Sequence, residues 1–226
     1  MKKIIAIVLA VSSLFFLTAT KTLAEWSAGV SASVGHFKAS GQESEDGEIN
    51  KTVSTNTLEG KFGYPSLFVE YNTGLVSVGL DVIPGSVETT EIGRTDLNLG
   101  DADGVGTGND GIAAGVTNTA KVEISQHISL YALVPIMETG VFIKAAVIRA
   151  DVATKESLAT GSVYPNTDMK GGSLSLGYQY DFDAAFVRAE AGVSEYDTVS
   201  VTSTGGHKVT ADVDGKWGRI SIGKSF

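Results

Sequence analysis

The sequence predicts an all-β chain, an eight-stranded antiparallel up-and-down transmembrane β-barrel. Three observations carry that prediction. Segments alternating apolar with small or polar residues recur along the chain, the connections between them alternate short and long, and the non-apolar parity is mostly Ser and Gly.

The first residues stand apart from this pattern. Lys2 and Lys3, an apolar run from Ile4 to Leu17 and small residues up to Ala24 follow the order of a secretory signal peptide. The apolar run is short of the roughly 20 residues that a spanning helix needs, so residues 1–24 are read as cleaved and 25–226 as the barrel. Loss of Lys2, Lys3 and Lys21 lowers Lys plus Arg from 17 to 14 against 26 acids, so the mature charge is 14 − 26 = −12. Such a surface argues against nucleic acid as a partner. The chain has no Cys, so its stability cannot come from disulfides.

The first expected strand, "WSAGVSASVGHF", sets Trp26, Ala28, Val30, Ala32 and Val34 against Ser27, Gly29, Ser31, Ser33 and Gly35. The second, "TLEGKFGYPSLFVEY", has Leu58, Phe62 and Tyr64 on one parity and Leu67, Val69 and Tyr71 on the other. That change of phase predicts a bulge near Pro65. The third sets Val76, Val78, Leu80 and Val82 against Ser77, Gly79 and Asp81. In the fourth, Val122, Ile124, Ile128, Leu130, Ala132 and Val134 oppose Glu123, Ser125, His127, Ser129 and Tyr131.

The fifth, "VFIKAAVIRADV", is apolar on both parities, and Lys144 marks the inner one. The sixth sets Leu174, Leu176, Tyr178 and Tyr180 against Ser173, Ser175, Gly177 and Gln179. The seventh sets Val187, Ala189, Ala191 and Val193 against Arg188, Glu190, Gly192 and Ser194. The eighth is the terminal "KWGRISIGKSF". Short connections carry turn residues at Asn72-Thr73-Gly74, at 135–140 and at Asp181-Phe182-Asp183; long ones cover roughly residues 38–56, 84–118, 153–170 and 195–211.

Which face is apolar decides between a soluble barrel and a membrane one. A parity of Ser and Gly with isolated charges would be a poor water-facing exterior but fits the cramped interior of eight strands. The charges Glu70, Asp81, Glu123, Lys144, Arg188, Glu190 and Arg219 are therefore expected to form a salt-bridge network in the lumen, in preference to a gated ion path. Three short and four long connections put both termini on the periplasmic side, with Trp26, Tyr71, Tyr180 and Phe226 as an interfacial girdle there.

The terminal "GRISIGKSF" resembles the assembly signal of bacterial outer-membrane proteins, whose last strand ends in an aromatic read by the insertion machinery. The resemblance implies Gly218, Ile220, Ile222 and Phe226 as that signal and the barrel assembly machinery as a partner. With "SLFVEYNTG", "GLDVIPG" and "AAFVRAEAGV", the whole mature chain resembles the small eight-stranded outer-membrane family that includes the OmpA transmembrane domain, OmpX and OmpW. No peptidoglycan-binding domain is expected after the barrel, a departure from full-length OmpA, so the resemblance does not imply tethering to the cell wall.

Three constellations bear on chemistry. His127 and Ser129 share a face and faintly resemble the His-x-Ser element of outer-membrane lipid A deacylases, but Leu130 stands where that family has Asn and both side chains are expected in the lumen. Asp101, Asp103 and Asp110 lie in a glycine-rich loop with calcium-type spacing, yet Val105 and Ile112 occupy positions where an EF-hand needs oxygen ligands. Such a loop reads as flexible acidic surface. The four long connections, with the last counted to 214, hold sixteen acids and six bases, which would need divalent cations beside an anionic lipopolysaccharide surface.

The expectation is thus a non-enzymatic outer-membrane protein with no cofactor, acting through acidic extracellular loops and contacting lipid and lipopolysaccharide. A narrow channel or a carrier for small apolar molecules is the alternative; a lipid A-modifying enzyme is a third reading.

Overall fold

The computed structural model describes residues 25–45, 53–89, 91–95, 117–157, 163–183 and 185–226. Among these, eleven strand segments form one antiparallel sheet: β1 Glu25–Glu45, β2 Val53–Asn72, β3 Ser77–Val82, β4 Ser86–Glu88, β5 Ile92–Thr95, β6 Thr117–Pro135, β7 Val141–Ser157, β8 Thr167–Phe182, β9 Ala185–Tyr196, β10 Val199–Thr202 and β11 His207–Ser225. β4 and β5 continue β3 along β6, and β10 continues β9 along β11. The first strand pairs with the last, from Ser27↔Ser225 to Glu45↔His207, so the sheet closes as a ring of eight strands.

The register fixes the size of the ring. From Ser27 the paired residues run Glu70, Gly79, Tyr131, Ala146, Ser173, Ser194 and Gly215, then return to β1 at Phe37, a stagger of 37 − 27 = 10 residues. With a rise of about 3.3 Å and a strand spacing of about 4.8 Å, this gives a tilt of about 40° and a backbone radius of about 8 Å. Side chains fill an interior of that width.

Alternation then decides which faces meet. Val30, Val34, Leu67, Leu130, Leu176, Ile220 and Ile222 point outward and are more than half exposed, while Ser31, Ser33, Ser66, Ser175, Ser194 and Ser221 point inward and are buried. A band of greasy side chains surrounds a polar lumen. The ladder closes around the lower part of that band, with β2 and β3 paired only up to Leu67↔Val82, and such closure is what hydrocarbon requires of a spanning sheet. Trp26, Tyr71, Tyr180, Phe182 and Phe226 gather at the end that carries both chain termini, with Trp26 and Tyr71 rings 5.0 Å apart.

Three expectations are corrected. No bulge occurs near Pro65: β1 and β2 pair without a shift from Glu25↔Asn72 to Ser44↔Val53, so Phe62 and Tyr64 share the inward parity of Phe68. The shift lies in β6, between Ser125 and Ile128, where Gln126 takes a positive φ of 48°. That extra residue inverts the parity above it, so Ile124 and Val122 turn inward and Glu123 turns outward.

The long connections are also shorter than expected. Residues 38–45, 86–88, 92–95, 153–157, 199–202 and 207–211 continue the strands past the apolar band. Above the band the chemistry inverts. His36, Lys38, Lys121, Lys155 and Asp212 face out, while Ile148, Ala150, Met169 and Tyr196 pack inside with Phe37, Ile124, Val152, Val199 and Val213. Water surrounds this part, so the apolar parity has nowhere favourable to go but inward.

Candidate functional site

The lumen on the terminal side of that apolar plug holds the charges. Glu70 on β2 and Arg188 on β9 meet through two parallel bonds, Nη1 to Oε2 at 2.8 Å and Nη2 to Oε1 at 2.7 Å. This is the fork geometry in which guanidinium and carboxylate bind most strongly. Tyr131 donates to Glu70 Oε2 at 2.9 Å, and the Arg188 Nε donates to Gln179 at 2.5 Å. Phe186, Phe68 and Phe142 surround the guanidinium at 4.3, 5.7 and 5.7 Å from their ring centres.

Two further pairs complete the set. Lys144 binds Glu190, which also accepts from Ser175 at 3.3 Å, and the ammonium lies 5.0 Å from the Tyr131 ring centre. Arg219 donates to Asp81 at 2.9 Å and to Ser33 at 2.9 Å, and Ser66 donates to the same Asp81 oxygen at 3.0 Å. Three acids face three bases, so the network is neutral.

The glycines make room for this packing. A Cβ on Gly79 would run into the Tyr131 ring, one on Gly177 into Phe142, and one on Gly223 into Phe186. Each glycine thus accepts an aromatic ring that lies across the inner wall.

Six of the seven sequence-derived lumen residues are therefore brought together: Glu70, Asp81, Lys144, Arg188, Glu190 and Arg219. Glu123 is not. Beyond the β6 bulge it faces outward and pairs with Lys155, whose ammonium also lies 3.8 Å from Glu88, and Lys121 binds Glu88 at 2.7 Å. The Lys155 bond holds the Glu123 carboxyl below its usual range, and Glu123 in turn raises the Lys155 ammonium above its own.

Tyr131, Gln179, Ser33, Ser66 and Ser175 belong to the network and were not singled out from the sequence. All five lie on the inward parity, which was their only signal. His127 and Ser129 line a cavity of about 30 Å³ with Asp81, Tyr64, Arg219 and Trp217, which is room for one or two water molecules. No acyl chain fits there. Asp101, Asp103 and Asp110 lie outside the described residues, as does the segment 1–24. Among the described residues no group of three or more His, Cys, Asp or Glu is placed to hold a metal.

At the terminal end, the Phe226 amide donates to the Trp26 carbonyl at 2.8 Å, its ring is exposed, and Lys224 lies 5.6 Å from the ring centre. Ile220 and Ile222 point outward beside it, with Gly218 on the same parity.

No protein-family model matches the sequence, and no curated protein matches it. Among solved structures, the chain is similar to the attachment invasion locus protein Ail of Yersinia pestis, at 13% identity over 88% of this chain and 99% of that one, with a TM-score of 0.39. It is also similar to the outer membrane protein OprG of Pseudomonas aeruginosa, at 12% identity over 88% and 96%, with a TM-score of 0.43. The outer membrane protease OmpT of Escherichia coli matches at 11% identity over 93% and 99%, with a TM-score of 0.40.

Proposed function

We propose that this chain is a non-enzymatic barrel of the bacterial outer membrane, closed to solutes, whose role is surface interaction through the strand extensions and loops at the end away from its termini. The observation that carries the reading is the lumen. Arg188–Glu70, Lys144–Glu190 and Arg219–Asp81 fill its terminal half as neutral pairs, and Ile148, Met169 and Tyr196 fill the half above. The exposed apolar band supports a location in lipid, and the aromatic end supports a periplasmic position for both termini.

Planar-bilayer recording of the purified, refolded protein tests this reading. No steps above baseline are expected, whereas stable conductance from the unaltered chain would replace the scaffold with a pore. Ser129→Ala should leave any lipid A turnover at background, and turnover lost in that variant would establish the enzyme instead.

One observation favours a second reading, a carrier for small apolar molecules. β2 pairs with β3 only from Leu67↔Val82 to Asn72↔Ser77, and among the described residues no ladder joins 53–66 of β2 to β4 or β5. That seam opens on the apolar upper interior. Cross-linking β2 to β4 should abolish uptake of an apolar solute if the seam is its route.

A further inference from the structure

The six lumen charges are matched in pairs, yet one carboxylate oxygen is left over. Asp81 Oδ2 accepts from Arg219 at 2.9 Å and from Ser66 at 3.0 Å, whereas Asp81 Oδ1 is buried without a hydrogen-bond partner. The residue is 2% exposed, so its charge depends on what surrounds it. His127 Nδ1 is a second buried atom without a partner. Both residues line the cavity of about 30 Å³ that lies between the ion pairs and the apolar plug. A buried polar atom destabilises a fold unless a donor or acceptor reaches it, and a polar cavity of this size holds one or two water molecules.

The bulge in β6 puts the imidazole there. Gln126 takes its positive φ immediately before His127, and the Ile83 amide donates to the His127 carbonyl at 3.0 Å, which fixes the backbone that carries the ring. Asp81 stands opposite Ser129 across β3 and β6, two residues from His127. Of the three histidines, His36 points outward beside Glu59 and His207 begins β11 at the end away from the termini. His127 is the one in the lumen.

The groups that face it come from six strands. Asp81 of β3 offers a free oxygen; Arg219 of β11 and Lys144 of β7 are cations, the second held by Glu190 of β9. Tyr64 of β2, Tyr131 of β6 and Tyr196 of β9 are phenols, neutral at physiological pH. A metal cation here would meet Arg219 and Lys144, and an anion would meet Asp81 Oδ1. Water is the occupant of matching size and charge.

We propose that this cavity is a proton-binding site, built from His127, Asp81 and one bridging water. In its neutral form the water donates one hydrogen to His127 Nδ1 and the other to Asp81 Oδ1. On acidification a proton from bulk water takes the Nδ1 lone pair, the new N–H donates to the water oxygen, and the water keeps its bond to Oδ1. No other bond forms or breaks. The imidazolium then shares Asp81 with Arg219, one on each carboxylate oxygen, and the link between β6 and β3 becomes charge-assisted. That link lies where the pairing of β2 with β3 stops, at Leu67↔Val82.

Histidine-selective nitrogen-15 NMR of the refolded full chain in detergent micelles tests this, with His127→Gln to assign the signal. The His127 ring should receive magnetisation from water, carry its neutral-state proton on Nε2, and gain a second proton in one step as pH is lowered. Asp81→Asn should move that step down by about one pH unit or more, while His36, outside the lumen, titrates as before. A ring without water contact overturns the proposal, as does a neutral ring protonated on Nδ1, a ring that stays neutral down to about pH 4, or a step that Asp81→Asn leaves in place. Heat-modifiable migration reports the folding of each variant. Should Asp81→Asn fail to fold, the water contact and the proton uptake of the unaltered chain decide, and the lack of either overturns the proposal.

Discussion

Glu70 and Arg188 are 118 positions apart in sequence, yet two bonds of 2.7 and 2.8 Å join them across the lumen. Both side chains are almost fully buried, at 2% and 5% exposure, so neither charge has water to fall back on. Removing one partner leaves the other stranded. Arg188→Met is expected to destabilise the barrel by about 3–5 kcal/mol, and Glu70→Gln added to it should recover much of that loss. Urea unfolding in lipid vesicles, followed by tryptophan fluorescence, measures both; an unchanged Arg188→Met midpoint would contradict the pairing.

The Tyr131 ring lies over Gly79, where any Cβ would collide with it. Gly79→Ala must displace the ring and its 2.9 Å bond to Glu70, at a cost of about 1–3 kcal/mol. Gly63→Ala is the control, because the atom nearest a Cβ there is 3.9 Å away. Equal melting shifts for the two variants would show that the ring can move freely.

Phe226 contributes one backbone bond to Trp26, and the residue is 72% exposed. Phe226→Ala should therefore leave refolding into vesicles unchanged while lowering the amount of folded barrel assembled in cells. Comparable losses in both assays would assign the ring a structural role instead of a signalling one.

The Glu123–Lys155 pair on the outer wall titrates within reach of experiment. Its bond lowers the Glu123 carboxyl, so this contribution is present above the ordinary Glu value of about 4.3 and fades as pH falls through the lower folded value. The raised Lys155 ammonium works the other way: its contribution is present below about 10.4 and is lost as pH rises through the higher folded value. Protection factors of the amides in the 119–125 stretch, which remove the intrinsic pH dependence of exchange, should fall at both extremes, and Glu123→Gln should flatten the acid limb. An acid limb unchanged by Glu123→Gln would place the titration elsewhere.

Much of this architecture was legible in residue order. Alternation with period two gave Val30, Leu67, Leu176 and Ile220 their outward face and Ser31, Ser173 and Ser175 their inward one, because a pleated strand has only two sides. The alternation of short and long connections indicated up-and-down order. Six lumen charges were visible because a charged residue among small ones, on the parity opposite to a greasy one, has few other places to be.

What only the closed sheet decided is pairing, height and inversion. Nothing local tells Arg188 that it will meet Glu70 instead of Glu190, since that depends on a stagger accumulated over all eight strands. Nor does the stretch around Ser125-Gln126-His127 announce its bulge. The side-chain period is two, so one extra residue exchanged the roles of Glu123 and Ile124 without changing a single neighbour in the sequence. Above the apolar band, where water replaces hydrocarbon outside, the same alternating code carries the opposite meaning, and where that change falls is set by the height of each residue on the assembled wall.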